Sequence, residues 1–226
     1  MTEEALRLWR PLAADNPAFR PDLARALSAC SVCRRSLGHW QKALDAAEEA
    51  VRRWRPLAAD NPAFEPDLAH ALDVLAACMN TLEQQLETSA IAEESVRRWR
   101  SLAAVNSIFQ ADLARALSNL AITEHNRSRY QEALASAEES VGLLQPVATG
   151  NHDIQNDLAN TLLGLSDYLG HAGRRDESLT AKRDAVRIFG ALAHAEPDLY
   201  QETYQRTLAE LRRTDDLRED HWTSEQ

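Results

Sequence analysis

Cysteine is scarce in this chain. Three residues, Cys30, Cys33 and Cys78, are too few and too odd in number for a disulfide framework. They fit a reducing compartment, and a cytoplasmic location is expected; the Asn126-Arg127-Ser128 sequon then has no role. Glycine numbers only seven, which leaves no material for a phosphate-cradling loop. G-x-S-x-G, Ser-x-x-Lys and His-Glu-x-x-His are absent from the sequence as well. Valine and isoleucine are few, at 8 and 5 against 38 Ala and 31 Leu. That imbalance favours helix over sheet, because Ala and Leu lose little side-chain freedom in a helix and β-branched residues lose more. No stretch approaches the roughly 20 uncharged residues of a membrane span, and no basic-then-apolar leader opens the chain. Positive charge is also in deficit: 25 basic against 35 acidic residues give a net charge of −10, so attraction to nucleic acid or anionic membrane is not expected. Lysine supplies only Lys42 and Lys182.

What the sequence does contain is a repeat. Laid against itself at an offset of 45, Glu3–Leu27 meets Glu48–Leu72 with 21 of 25 positions identical. Glu93–Leu117 keeps 17 of 25 with the copy before it, and no insertion is needed to hold the register. Further steps place Leu144 and Phe189 where Trp9, Trp54 and Trp99 stand. A fixed period in this range marks a solenoid, whose units bury their apolar faces only against neighbours.

Each period reads as two helices. Helix A starts near Pro21, Pro66 or Ala111, with Asp22, Asp67, Asp112 and Asp157 in the opening turn, where a carboxylate meets the positive end of the helix dipole. Leu23, Leu27, Cys30 and Leu37 form its apolar face in the first copy, and Gly38 ends it, as Gly173 does in the fourth. Helix B runs from about Trp40 through Ala43, Ala47, Ala50, Trp54 and Leu57 to Asp60-Asn61-Pro62. Pro11, Pro56 and Pro146 are expected to kink these B helices or end their regular part. The expected fold is all-α: a right-handed α-solenoid of antiparallel helix pairs with about ten helices. It spans 1–217 as one domain, with a half-repeat at 1–19, repeats at about 20–64, 65–109, 110–154 and 155–199, and a terminal helix at about 198–217. A polar, frayed tail is expected at 218–226. The terminal half-repeats leave an apolar flank around Trp9 and Leu12, which suggests self-association or a longer array.

Within the repeat, Leu117, Leu120, Ala121, Tyr130, Ala133 and Ser140 lie at the spacing of the tetratricopeptide repeat, and the chain resembles that family over about 200 residues. Leu27, Cys30, Ser31, Gly38, Trp40, Ala43 and Ala50 match in the first copy; Leu162, Leu165, Ser166, Leu169, Gly173 and Ala185 match in the fourth. The family's usual period is about 34, so the helices here are longer, as in the arrays of kinesin light chains and of bacterial multidomain signalling proteins. The second copy departs from the pattern at Glu83, Gln85 and Thr88, so its A–B turn is expected to be irregular.

The resemblance implies a groove lined by fixed positions of helix A. Carried over, these are Arg25, Ser28, Val32 and Arg35; His70, Asp73, Ala77 and Asn80; Arg115, Ser118, Asn119, Ile122 and His125; and Asn160, Leu163, Asp167 and His171. Ser28, Val32 and Val74 stand where chaperone-binding members carry their carboxylate clamp, which disfavours that ligand. Arg25, His70 and Arg115 form a basic stripe suited to carboxylates on a partner, although a solvated polar face reads equally well. The Cys30-x-x-Cys33 pair could be a redox pair or half a zinc site, but the repeat register aligns both with helix-interface positions. The seven histidines show no ligand spacing, so no metal and no cofactor are expected. Trp9, Trp54 and Trp99 could form a ligand ladder, and core packing is the stronger reading. The leading functional reading is a non-enzymatic scaffold that binds a peptide or helix of a partner protein in the groove. The alternatives are a regulatory or sensor module of a larger bacterial signalling protein and a small-molecule-binding or catalytic solenoid.

Overall fold

A computed structural model describes the backbone of residues 2–82 and 85–224, and the side chains of 4–82 and 88–214. Among the described residues there are ten helices and no strand: α1 Thr2–Asp15, α2 Arg20–Ser36, α3 Trp40–Asp60, α4 Glu65–Thr81, α5 Gln85–Val105, α6 Gln110–Asn126, α7 Tyr130–Leu144, α8 His152–His171, α9 Arg175–Ala195 and α10 Pro197–Ser224. Odd-numbered helices are of type B and even-numbered ones of type A. Two compact units divide the chain, Met1–Arg127 with α1–α6 and Ser128–Gln226 with α7–α10.

Local chemistry sets the turns. Asn16, Asn61 and Asn106 end successive B helices in extended conformation, and their side-chain oxygens accept the backbone N–H two residues on. A short 3₁₀ turn follows each one, and its last residue leads directly into helix A. An asparagine in this role satisfies a donor that the helix start leaves orphaned. At the A–B turns the backbone enters the left-handed region, with φ of +73° at Gly38 and +76° at Gly173. Ser128 holds the equivalent place in the third copy at +60°. The turn at Glu83 lies outside the described residues.

In the first unit α2–α3 and α4–α5 are packed helix pairs, and α3–α4 and α5–α6 join one pair to the next. Ala43, Ala47 and Ala50 are fully buried where α3 faces α2, and the Ser31 hydroxyl donates to the Ala43 carbonyl at 2.8 Å. Small residues permit that backbone approach. Trp54 and Trp99 are also buried. Each indole leans on the phenylalanine ten residues on, with ring centres 5.6 Å apart for Trp54–Phe64 and 5.7 Å for Trp99–Phe109. Trp9, partly buried, pairs with Phe19 at 5.9 Å. The tryptophans are therefore core, not a ladder open to a ligand.

Ion pairs link successive B helices on their polar side. Arg10 of α1 meets Glu49 of α3 at 2.6 Å, and Arg55 of α3 meets Glu94 of α5 at 2.7 Å. Each glutamate also holds an arginine one turn along its own helix, Arg53 at 2.8 Å and Arg98 at 3.0 Å.

The second unit alters the repeat. Pro146 ends the regular part of α7 at Leu144, and α8 begins at His152, so Asp153 rather than Asp157 occupies its first turn. Leu144, Phe189 and Leu192 are fully buried. A β-carbon on Gly190 would lie 3.2 Å from the Tyr204 ring, so glycine here lets α10 close on α9.

Several sequence expectations are corrected. Of the two expected effects of proline, ending the helix is excluded at Pro11 and Pro56, which lie inside α1 and α3, and holds at Pro146, before which α7 stops. Leu37 is 71% exposed rather than part of the α2 face, because the helix ends at Ser36. Cys33 is exposed, whereas its counterpart Cys78 is buried and faces Ser31 of the preceding A helix at 3.7 Å. The last helix continues past 217 to Ser224, seven residues beyond the expected end.

Candidate functional site

The predicted groove positions in the first unit fall on α2, α4 and α6, adjacent A helices that pack against one another. Their side chains divide into two groups. Ser28, Asp73 and Asn80 are engaged in joints between helices. The Ser28 hydroxyl donates to the Ala24 carbonyl at 3.2 Å and accepts the Trp54 indole N–H at 3.4 Å. Asn80 donates to the Asn119 backbone carbonyl at 3.4 Å and accepts the Thr123 hydroxyl at 3.1 Å, which ties α4 to α6.

Asp73 is the most perturbed of them. Its carboxylate accepts the Trp99 indole N–H at 2.7 Å and the Ser95 hydroxyl at 2.5 Å. Desolvation by the surrounding α4–α5 seam pushes its pKa up to about 7, against the downward pull of those two hydrogen bonds; Asp112 adds to the rise and Arg115 opposes it. The spacing of 26 residues that joins Ser28 to Trp54 and Asp73 to Trp99 is the same in each copy. In the fourth copy it joins Leu163 to Phe189, and these two pack together with no polar atom on either. In the first two copies the B helix brings an indole N–H to a polar residue here; in the third, Ser118 stands 26 residues before Leu144, which has none.

The basic stripe is largely paired within the array. Arg25 lies 3.4 Å from Asp67 of the next A helix and 3.7 Å from Asp22 of its own, with its guanidinium 5.7 Å from the centre of the Trp54 ring. Arg115 meets Asp112 at 2.8 Å. His70 keeps accessible surface yet is partly desolvated, and that lowers its pKa; Asp112 and Asp67 pull it up and Arg115 pushes it down. Arg25 therefore stitches one repeat to the next, whereas Arg115 pairs within its own helix. Exposed pairs of this kind contribute at most about 1 kcal/mol each.

A stripe of small or aliphatic residues remains between the charged rows: Val32, Ala77 and Ile122, at one position of α2, α4 and α6. Val32 and Ala77 keep partial exposure and Ile122 is 40% exposed. Arg35 flanks it, partly exposed, as does His125, which has interactions of its own. In the second unit Asn160 donates to the Asn156 carbonyl at 2.9 Å, and His171 stacks on Tyr130 with ring centres 5.3 Å apart. The two units each hold part of the predicted set. Sequence reasoning missed the Asp73–Trp99 bond and the Arg–Glu links of the B helices. Their signal was present as arginine at 10, 55 and 100 and glutamate at 49, 94 and 139, in steps of 45.

No cluster of metal-ligating side chains occurs among the described residues, and no helix among them is long and apolar enough to cross a membrane. Burial raises the pKa of the Cys78 thiol, which disfavours the reactive thiolate.

No family model matches the chain, and no curated protein does. Solved structures do. BtubC (BKLC) from P. vanneervenii superposes with a TM-score of 0.62 at 16% identity, covering 96% of this chain and 89% of that one. MamA gives 0.51 at 13% identity, covering 85% and 91%, and a MamA RS-1 double mutant gives 0.52 at 14% identity, covering 84% and 86%. At such low identity the likeness speaks to fold, and the fold is that of tetratricopeptide-like helical repeats.

Proposed function

We propose that the chain is a non-enzymatic interaction scaffold that receives a peptide or helix of another protein along its A helices. One observation carries this reading: the Val32, Ala77 and Ile122 stripe repeats at the array's own period and is left partly open between rows of polar residues. An amphipathic helix or extended segment reads such a surface by placing apolar side chains on the stripe and acidic ones toward the arginines and histidines beside it. Tetratricopeptide-like repeats are generally non-catalytic scaffolds for protein interactions, which supports the same reading. The buried thiols of Cys30 and Cys78 fit a reducing compartment such as the cytoplasm.

The test is affinity capture from native lysate with wild type and with Arg35→Glu and Ile122→Glu, neither of which removes a buried side chain. Loss of a captured protein in both variants, with unchanged circular dichroism, is the expected result. Capture indifferent to both would place the binding surface elsewhere. A role as the sensor part of a larger signalling protein is compatible with the same surface, and binding changes in an attached effector would reveal it.

A further inference from the structure

The Arg–Glu links of the B helices can be followed along the repeat. The place of Arg10 and Arg55 passes to Arg100 and then to Gln145; that of Glu49 and Glu94 passes to Glu139 and then to Asp184. Arg53 and Arg98 lead to Leu143 and Ile188. Glu65, which bonds Arg98 at 2.5 Å, leads to Gln110 and Gln155. Within the second unit, where α7, α8 and α9 meet, both linking guanidinium groups have therefore been replaced, and one carboxylate has been kept. A cleft of about 350 Å³ opens at this place, with Gln145, Gln155 and Asp184 on its polar side and Leu158, Leu162 and Ile188 among its apolar walls. Arg187 also lines the cleft and reaches Asp184 at 3.3 Å from the next turn of α9; the two side chains are 75% and 45% exposed. Solvent screens such a pair, and it holds the carboxylate weakly.

We propose that this cleft binds an alkylguanidinium group. The planar fork of a guanidinium matches a carboxylate through two parallel hydrogen bonds, as an ammonium does not. Asp184 supplies that carboxylate, the side-chain oxygens of Gln145 and Gln155 accept the remaining N–H groups, and the aliphatic stem lies on Leu158, Leu162 and Ile188. The volume lies in the range of small-ligand sites. The ligand thus restores, from outside, the group that Arg10 and Arg55 supply from within the chain. Free arginine-like metabolites and an arginine side chain of a peptide share this chemistry.

The experiment titrates n-propylguanidinium into the full chain and follows the side-chain amides of Gln145 and Gln155 by NMR, with neutral n-propylurea as the isosteric control. Saturable shifts with the guanidinium and none with the urea are expected. Asp184→Asn weakens binding severalfold by removing the charge. Gln145→Arg weakens it to the same degree by seating an internal guanidinium beside Asp184, and its melting temperature is at or above that of wild type. The second variant distinguishes lost recognition from lost folding, because it completes the link that the first unit already uses. Shifts that grow linearly without saturation, equal response to the urea, or affinity untouched by both variants would overturn the proposal. Argininamide and acetyl-Gly-Arg-Gly-amide then identify the source: tighter binding of the first assigns a metabolite and of the second a peptide, and binding of neither rejects the site.

Discussion

Asp73 makes stability depend on pH in a direction opposite to that of an ordinary carboxylate. Its pKa rises from 3.8 to about 7 in the folded chain because the α4–α5 seam desolvates it. The folded state therefore holds this proton more tightly than the unfolded chain, and between the two pKa values unfolding releases it. The contribution to stability is greatest below the unfolded value, falls as pH rises through the window from about 4 to 7, and is flat above. Each unit corresponds to about 1.4 kcal/mol. From pH 5 to pH 8 the full shift would remove nearly 3 kcal/mol, and residual solvent contact reduces this to about 1 to 2. His70 acts in the other direction, since its lowered pKa weakens the fold as pH falls below its ordinary value. The comparison of wild type with Asp73→Asn isolates the carboxyl, because His70 is present in both. Denaturant titrations followed by tryptophan fluorescence at pH 5, 6, 7 and 8 should show wild type losing about 1 to 2 kcal/mol more than Asp73→Asn over that range. Asp73→Ser, which copies the Ser28–Trp54 arrangement, should match the Asn variant in slope. Parallel curves for all three would refute the claim that a desolvated carboxyl sits in this seam.

Trp54→Ala removes a fully buried indole among alanines. It should cost about 3 to 5 kcal/mol by chemical denaturation, much of it from the space left behind. Ser128 holds a left-handed conformation that glycine adopts freely, so Ser128→Gly should raise stability by up to about 1 kcal/mol. Gly38→Ala meets no neighbouring atom yet should lower stability by about 1 kcal/mol through its φ alone. Both are read by the shift in melting temperature, and opposite signs for the two substitutions are the expected pattern.

Recurrence made the fold legible. Asn16, Asn61 and Asn106 and the tryptophans recur in steps of 45, so each B-to-A boundary in the first unit was marked more than once, whereas the A-to-B turn was marked by Gly38 and its distant counterpart Gly173. Where the copies diverge, the marks fail. Pro146 stops α7 early, and Asn151, in register with Asn16, Asn61 and Asn106, caps α8 directly at His152 without the Trp–Phe pair of the earlier copies. Leu37 was misread because α2 stops at Ser36, one residue short of it, and Cys33 because a residue type at a repeat position says nothing of whether a neighbour covers it. The groove positions came from a resemblance, and that fixes which face of helix A a residue occupies. It does not say whether the side chain is held by the adjacent helix. Arg25 and Asp67 lie 42 residues apart, Asp73 and Trp99 lie 26 apart, and only packing brings each pair together. The open stripe at Val32, Ala77 and Ile122 is what remained after such pairings were made.

The junction of α1 with α2 and that of α3 with α4 use nearly the same residues, down to the Trp–Phe pair and the asparagine turn. Each is thus an interchangeable connector. Excision of residues 20–64 would bring Phe19 onto Glu65, with Trp9 meeting α4 as Trp54 does now, so a gene encoding this protein can shorten by one whole module without creating a seam of a new kind.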